Sequence, residues 1–165
     1  MHADLSPLIA ATAQWLTRAY PAGGGAVDRA LAEAQARQAV TLAARLRYPT
    51  ALDAALVAVT GAGGAGRLDW VTGADTAQDE QADAWRSWVD EIVASWAAGL
   101  LAAPELAAAA AAAVADDGTP GAYRRLLAPG ERDRRAAALL RHPDLLAPVA
   151  ALHHDELLRR LSAAA

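Results

Sequence analysis

In a chain that contains no phenylalanine, three tryptophans fall on one predicted helical face. Apolar residues there recur at i, i+3, i+4, i+7, i+8, i+11 and i+15, which is the repeat of a single helix face. The face consists of Trp85, Trp88, Val89, Ile92, Val93, Trp96 and Leu100. The opposite face carries Gln81, Asp83, Arg86, Ser87, Asp90 and Glu91. The pattern predicts one amphipathic helix from about residue 75 to about residue 103, whose indoles anchor either the core or a contact surface.

Further predicted helices alternate with proline- and glycine-rich breaks along the rest of the chain. They cover residues 5–20, 26–48, 50–59, 105–114, 119–127, 131–141 and 148–161. Residues 67–73, around Trp70, are predicted to be a connector. No alternation typical of a strand occurs. The sequence therefore predicts a compact all-α helical bundle of about six to eight helices with short loops, in a single domain over residues 1–165.

Caps and buried faces follow from the same pattern. Ser6 and Thr50 are expected to cap their helices, and Pro148 is expected to begin the last one. Val27 and Leu139 fall on apolar helical faces, so we expect both to point into the core.

Composition excludes several chemistries. The 165 residues carry a net charge of −4 and include neither cysteine nor lysine, so all 15 basic residues are arginine. Disulfides, thiol catalysis and Schiff bases are therefore excluded. Asparagine is also missing, and the shortage of residues with AT-rich codons indicates a GC-rich bacterial source. Because neither a signal peptide nor a convincing membrane span is evident, we expect a cytoplasmic protein that does not enter a membrane.

One glycine-rich segment matches a dinucleotide-binding pattern. Residues 61–66 read G-x-G-x-x-G, and the preceding apolar residues could be taken for a strand. A phosphate loop also needs a helix that begins at its last glycine, inside a strand–helix–strand unit. Here Gly73 interrupts the following stretch and no second strand is predicted, so the pattern favours a loop between helices.

Histidines and serines give no catalytic or metal-binding set. His153 and His154 point about 100° apart on a helix, so both cannot bind one metal from the same face. His154 aligns with Leu158 and Leu161, which favours a partly buried packing residue. The serines lie in no nucleophile elbow. We therefore predict no metal and no cofactor, and we assign no catalytic residue.

Basic residues are concentrated in the second half of the chain. The arginine cluster consists of Arg124, Arg125, Arg132, Arg134 and Arg135. Such a cluster can bind the phosphates of nucleic acid or an acidic partner. The acidic chain as a whole disfavours nucleic acid, and pairing with local acidic residues is the commoner outcome.

Three functional hypotheses follow. The leading one is a non-catalytic helical interaction or accessory protein, with a protein partner or a second copy contacting Trp85, Trp88, Trp96 or the arginine cluster. The alternative is a small-molecule-binding protein, or a small acid/base enzyme, whose tryptophan-lined pocket takes an apolar ligand. The third is a nucleic-acid-associated protein that uses the arginine cluster.

Overall fold

The computed structural model describes residues 4–74, 84–114 and 121–165, and most of them lie in helices. The α-helices are α1 Ser6–Ala19, α2 Ala26–Arg47, α3 Ala51–Thr60, α4 Gly66–Thr72, α5 Glu91–Ala102, α6 Pro104–Ala113, α7 Arg124–Leu127, α8 Glu131–Ala136, α9 Pro143–Ala150 and α10 His154–Ala164. Two 3-10 segments, Ala84–Trp88 and Ala151–His153, precede α5 and α10. Within the described ranges there is no strand, only an isolated bridge between Gly63 and Asp90. The predicted all-α class is confirmed.

Helices α2 and α5 lie at the centre of the packing. α2 packs against α1, α5 and α8, and α5 packs in addition against α9. Both helices contribute fully buried small residues, which are Ala36, Ala39, Ala43, Ala44, Ala94, Ala97, Ala98 and Gly99. Small side chains let helix axes approach closely, so an alanine-rich sequence can build this centre. The bulkier core residues include Trp15 and Trp96.

The predicted tryptophan helix is interrupted at residues 89 and 90. Trp85 and Trp88 lie in the 3-10 segment, whereas α5 begins at Glu91 with Asp90 as its N-cap. Oδ1 of Asp90 accepts a hydrogen bond from the amide of Val93 at 3.0 Å. This carboxylate satisfies an amide that lacks an intrahelical partner, and so fixes where the helix begins. The prediction of one continuous helix was wrong over residues 84–90, and its first part, residues 75–83, lies outside the described residues.

The burial of several side chains also differs from what the helical periodicity of the sequence predicts. Asp90, predicted on the polar face, is buried, and the Arg86 side chain is only a quarter exposed. Val27 and Leu139, predicted to point inward, are exposed. A helical period gives the direction of a side chain, but it does not show where the neighbouring helix ends. Those predictions were wrong for that reason.

Some of the predicted helix boundaries are confirmed and others are wrong. Thr50 caps α3 in a reciprocal capping box with Asp53, as predicted. Ser6 is the first residue of α1 rather than its cap, and its amide donates to Oδ1 of Asp4 at 2.8 Å. Pro148 lies inside α9 instead of beginning the last helix. The predicted helix start at residues 119–120 lies outside the described residues.

Residues 66–72 form helix α4 instead of the predicted connector. Gly73 ends this helix with a φ of 66°, a left-handed conformation that glycine adopts without a steric penalty. Within the described ranges, no helix is both long and apolar enough to cross a membrane.

Candidate functional site

The three predicted tryptophans do not form one surface. Trp96 is buried, and its indole N–H donates to the carbonyl oxygen of His153 at 3.1 Å. Trp85 and Trp88 are partly buried in the 3-10 segment, which packs against α1. The guanidinium carbons of Arg18 and Arg86 lie 5.1 Å and 5.4 Å from the centroid of the Trp85 ring. These are cation–π distances, so Trp85 anchors cations of its own chain.

A buried polar contact joins α1, α4 and the 3-10 segment before α5. The indole N–H of Trp15 donates to Oδ1 of Asp69 at 2.9 Å. The guanidinium of Arg86 pairs with the second oxygen of the same carboxylate. Asp69 is only 5% exposed, so its charge depends on these two partners. The sequence pattern placed Arg86 on a solvent-facing side, and nothing in its spacing indicates a partner 17 residues away.

A second buried carboxylate joins the end of α2 to the start of α5. The hydroxyl of Tyr48 donates to Oδ2 of Asp90, and the amide of Asp90 donates to Oγ1 of Thr12 at 3.1 Å. Burial and the Asp90 carboxylate raise the pKa of Tyr48 above its ordinary value, which Arg47 only partly offsets. Tyr48 therefore remains a protonated phenol at neutral pH and acts as a fixed hydrogen-bond donor.

His153 lies between two carboxylates at the surface of the core. Its Nε2 is 2.8 Å from Oε1 of Glu91, and its Nδ1 is 3.6 Å from Oε2 of Glu156. Its backbone amide donates to Oγ of Ser95 at 3.0 Å. Glu156 also pairs with Arg47, with 3.4 Å between Oε1 and Nη1. This chain of polar side chains links α5, α10 and α2, and nothing in the sequence indicates that His153 contacts carboxylates from two helices.

An open pocket of about 490 Å³ lies beside this chain of polar side chains. Its lining residues are Leu46, Arg47, Pro49, Asp53, Trp96, Glu156, Arg159, Arg160 and Ala163. Of the three predicted tryptophans only Trp96 contributes to it, while Trp85 and Trp88 lie elsewhere. The pocket therefore combines one indole with charged side chains, in contrast to the apolar, tryptophan-lined pocket that the sequence suggested.

The arginine cluster is partly used within the protein. Nη1 of Arg125 pairs with Oδ1 of Asp133 at 2.6 Å, and Nη2 of Arg135 with Oε1 of Glu131 at 3.0 Å. Burial alone would raise the pKa of Asp133, but the Gly130 amide and the Arg125 guanidinium together hold it below its ordinary value. Arg124, Arg132, Arg134 and Arg135 are exposed. Arg125 thus links α7 to α8 through its ion pair with Asp133, and the other four face solvent.

Exposed apolar side chains are concentrated on α3. Leu52, Leu56 and Val59 are 78%, 62% and 86% exposed and lie at i, i+4 and i+7, and we call these three residues the α3 stripe. Ala54 and Val57 form the buried side of the same helix. α3 is therefore apolar on both sides, although a helix that is hydrophobic all round is normally buried. The sequence shows this apolar character, but not which of the two sides remains uncovered.

Comparisons with family models, with curated proteins and with solved structures give no match for this chain. Within the part of the chain that the structure describes, no group of three or more acidic or histidine side chains is placed to hold a metal ion. A functional proposal therefore depends on the surfaces and pockets described above.

Proposed function

We propose that this chain is a non-catalytic interaction protein that acts by docking an aliphatic helix of a partner protein against α3. The α3 stripe is the observation that supports this proposal. One exposed leucine is ordinary, but three large apolar side chains in line form a continuous patch, which typically marks a contact surface. The spacing i, i+4, i+7 is also the spacing with which amphipathic helices dock.

The residues around the α3 stripe define the chemistry of the partner. The other exposed residues of α3 are Ala51, Ala55, Ala58 and Thr60, all uncharged. The one acidic residue of α3, Asp53, accepts hydrogen bonds from Thr50 and so completes the capping box. An uncharged face neither selects nor repels by charge, so the partner surface should be aliphatic as well. The alanines between the larger side chains let a partner helix approach closely.

Trp70 provides a second exposed anchor on the next helix. It is 84% exposed on α4, and tryptophan is among the residues that most often dominate binding energy at interfaces. Its neighbour Asp69 is held by Trp15 and Arg86, so the backbone that carries Trp70 is fixed. A fixed backbone reduces the conformational entropy that this anchor loses on binding.

The expected affinity follows from the exposed area. Burying a fully exposed aliphatic side chain contributes about 1.5–3 kcal/mol, so the α3 stripe, whose members are already partly buried, supplies roughly 3–7 kcal/mol. The loss of translational and rotational freedom offsets much of this gain. We therefore expect the α3 stripe alone to give weak, reversible association, and Trp70 to strengthen it where the partner also covers α4.

Sedimentation velocity of the full chain is the first test. Leu56→Asp places a charge in the middle of the α3 stripe, and Leu158→Asp makes the same change at an exposed leucine of α10. If the chain is a dimer that Leu56→Asp dissociates and Leu158→Asp does not, the partner is a second copy. Antiparallel pairing about a twofold axis would then place Leu56 against itself and Leu52 against Val59.

If the chain is a monomer, cross-linking tests whether a different protein docks on the α3 stripe. Because the sequence has no cysteine, Ala55→Cys creates a single thiol beside the α3 stripe for a photo-reactive label. The proposal expects a discrete cross-linked product with one protein of the native extract, lost in the Leu56→Asp background and retained with Leu158→Asp. A monomer without any cross-link that depends on Leu56 would contradict the proposal.

A further inference from the structure

The pocket beside α10 has the volume of a small-molecule site. It lies where the end of α2, the start of α3 and the middle of α10 meet, and its volume of about 490 Å³ suits a small organic molecule. Part of its lining is apolar, with Leu46, Pro49, Trp96 and Ala163. A ligand that fills it can therefore bury an apolar body.

The two carboxylates of the pocket already have partners. Oδ2 of Asp53 accepts from the amide of Thr50 at 3.1 Å and from its hydroxyl at 2.6 Å. The carboxylate of Glu156 lies between Arg47 and His153, at 3.4 Å and 3.6 Å. Both acidic side chains are thus engaged by donors of the protein itself.

The arginines of α10, in contrast, have hydrogen-bond donors to spare. Nε of Arg160 donates to the carbonyl oxygen of Leu46 at 2.9 Å, and Nε of Arg159 to that of Asp155 at 3.4 Å. Among the residues that the structure describes, the terminal Nη groups of both arginines have no acceptor. Both arginines line the pocket, so their long side chains can reach one ligand there although neighbouring residues on a helix diverge by about 100°.

We propose that this pocket binds a small organic anion, with Arg159 and Arg160 on the anionic group and the apolar lining around its body. A carboxylate and a phosphate monoester both present the oxygen acceptors that guanidinium groups match in pairs. The three arginines of the lining outnumber its two carboxylates, which also favours an anion. This site does not depend on the α3 stripe, so each proposal can fail without the other.

The test is a titration of the ¹⁵N-labelled full chain followed by NMR. The probes are phenylacetate, phenyl phosphate and the neutral phenylacetamide, which has nearly the same shape as phenylacetate. We expect saturable shifts of the Trp96 indole and the Arg159 and Arg160 Nε–H resonances with an anionic probe, and at least about tenfold weaker binding of the amide. The stronger of the two anions identifies the preferred group.

Two variants separate this site from general electrostatic attraction. Arg159→Gln should weaken binding of the stronger anionic probe by about tenfold, because it removes one charged hydrogen-bonding group. Arg29→Gln makes the same charge change at an exposed position near the start of α2, outside both the pocket and the arginine cluster, and should leave the Kd unchanged. Arg159 has only one long hydrogen bond to its own helix, so its replacement should preserve the fold, which circular dichroism checks.

Three results would each overturn the proposal. They are the absence of saturable shifts for both anions up to millimolar concentration, equal binding of phenylacetamide, and equal weakening by Arg29→Gln and Arg159→Gln.

Discussion

Replacing Asp69 with asparagine tests whether its buried charge holds α1, α4 and the 3-10 segment before α5 together. Asparagine keeps an oxygen that can accept the indole N–H of Trp15, but it leaves the guanidinium of Arg86 without a counter-charge. The Arg86 side chain is only a quarter exposed, so water replaces the lost partner incompletely. Removing one member of a buried ion pair costs about 3–5 kcal/mol. Allowing for the partial exposure of Arg86, we expect a loss of about 3 kcal/mol.

Urea unfolding of the full chain, followed by circular dichroism, measures this loss. Glu33→Gln is the matched control, because it breaks an ion pair between Glu33 and Arg37 that is more than half exposed. Exposed pairs of this kind contribute about 0.5 kcal/mol or less. A double-mutant cycle with Arg86→Gln should return a coupling energy of at least about 1 kcal/mol between the two side chains. If Asp69→Asn destabilised no more than Glu33→Gln, the reasoning from burial would be refuted.

Four further predictions concern the helix cap, the two exposed surfaces and acid stability. Asp90→Ala should lower the free energy of unfolding by about 2 kcal/mol, because α5 loses its N-cap and the Tyr48 hydroxyl loses its acceptor; Asp90→Asn should recover part of this loss in the same urea assay. Leu56→Asp should change the free energy of unfolding of the monomer by no more than about 0.5 kcal/mol, since this leucine is mostly exposed; a larger loss would mean that the monomer already buries it. The pKa of Asp133 lies below its ordinary value of 3.8 in the folded chain. The ionised carboxylate therefore stabilises the fold fully above pH 3.8, and this stabilisation is lost as the pH falls below 3.8. Asp133→Asn should therefore flatten the decrease in thermal stability below about pH 4. With Arg125 paired internally and an overall negative charge, the chain should pass through a heparin column at low salt; salt-dependent retention that falls when the arginine cluster is replaced by glutamine would instead support nucleic-acid binding.

Local signals in the sequence predicted the structure correctly where the stabilising interactions are themselves local. Thr50 and Asp53 stand three residues apart, and a capping box needs nothing from the rest of the chain. The start of α6 at Pro104 is similar, because proline favours the first turn of a helix wherever it occurs. The partly buried position of His154 also agrees with its helical alignment.

The interruption before α5 shows where local reasoning fails. Apolar spacing continues without a gap from Trp85 to Leu100, so periodicity alone cannot show a break. The break depends on Asp90, which caps α5 while its amide bonds to Thr12, 78 residues earlier in the chain. Such a partner becomes visible only when α1 lies beside the start of α5.

Neither candidate site, the α3 stripe or the pocket beside α10, can be located from local sequence alone. The pocket combines Leu46, Trp96 and Arg160, which belong to three helices and have no common motif in the sequence. The arginine cluster was visible because its five members are close in sequence. Arg159 and Arg160 can be recognised as a candidate binding site only when the structure places them beside the carbonyl of Leu46 and the carboxylates of the pocket.

The sequence by itself therefore determined the helical class and several helix ends, because hydrogen bonding within a helix and its caps involves residues only a few positions apart. The tertiary structure alone decided which side of α3 is covered, which carboxylates are buried, and which arginines face a pocket. Those outcomes depend on where other helices end, and the packing of distant segments is not encoded in the periodicity of any one of them.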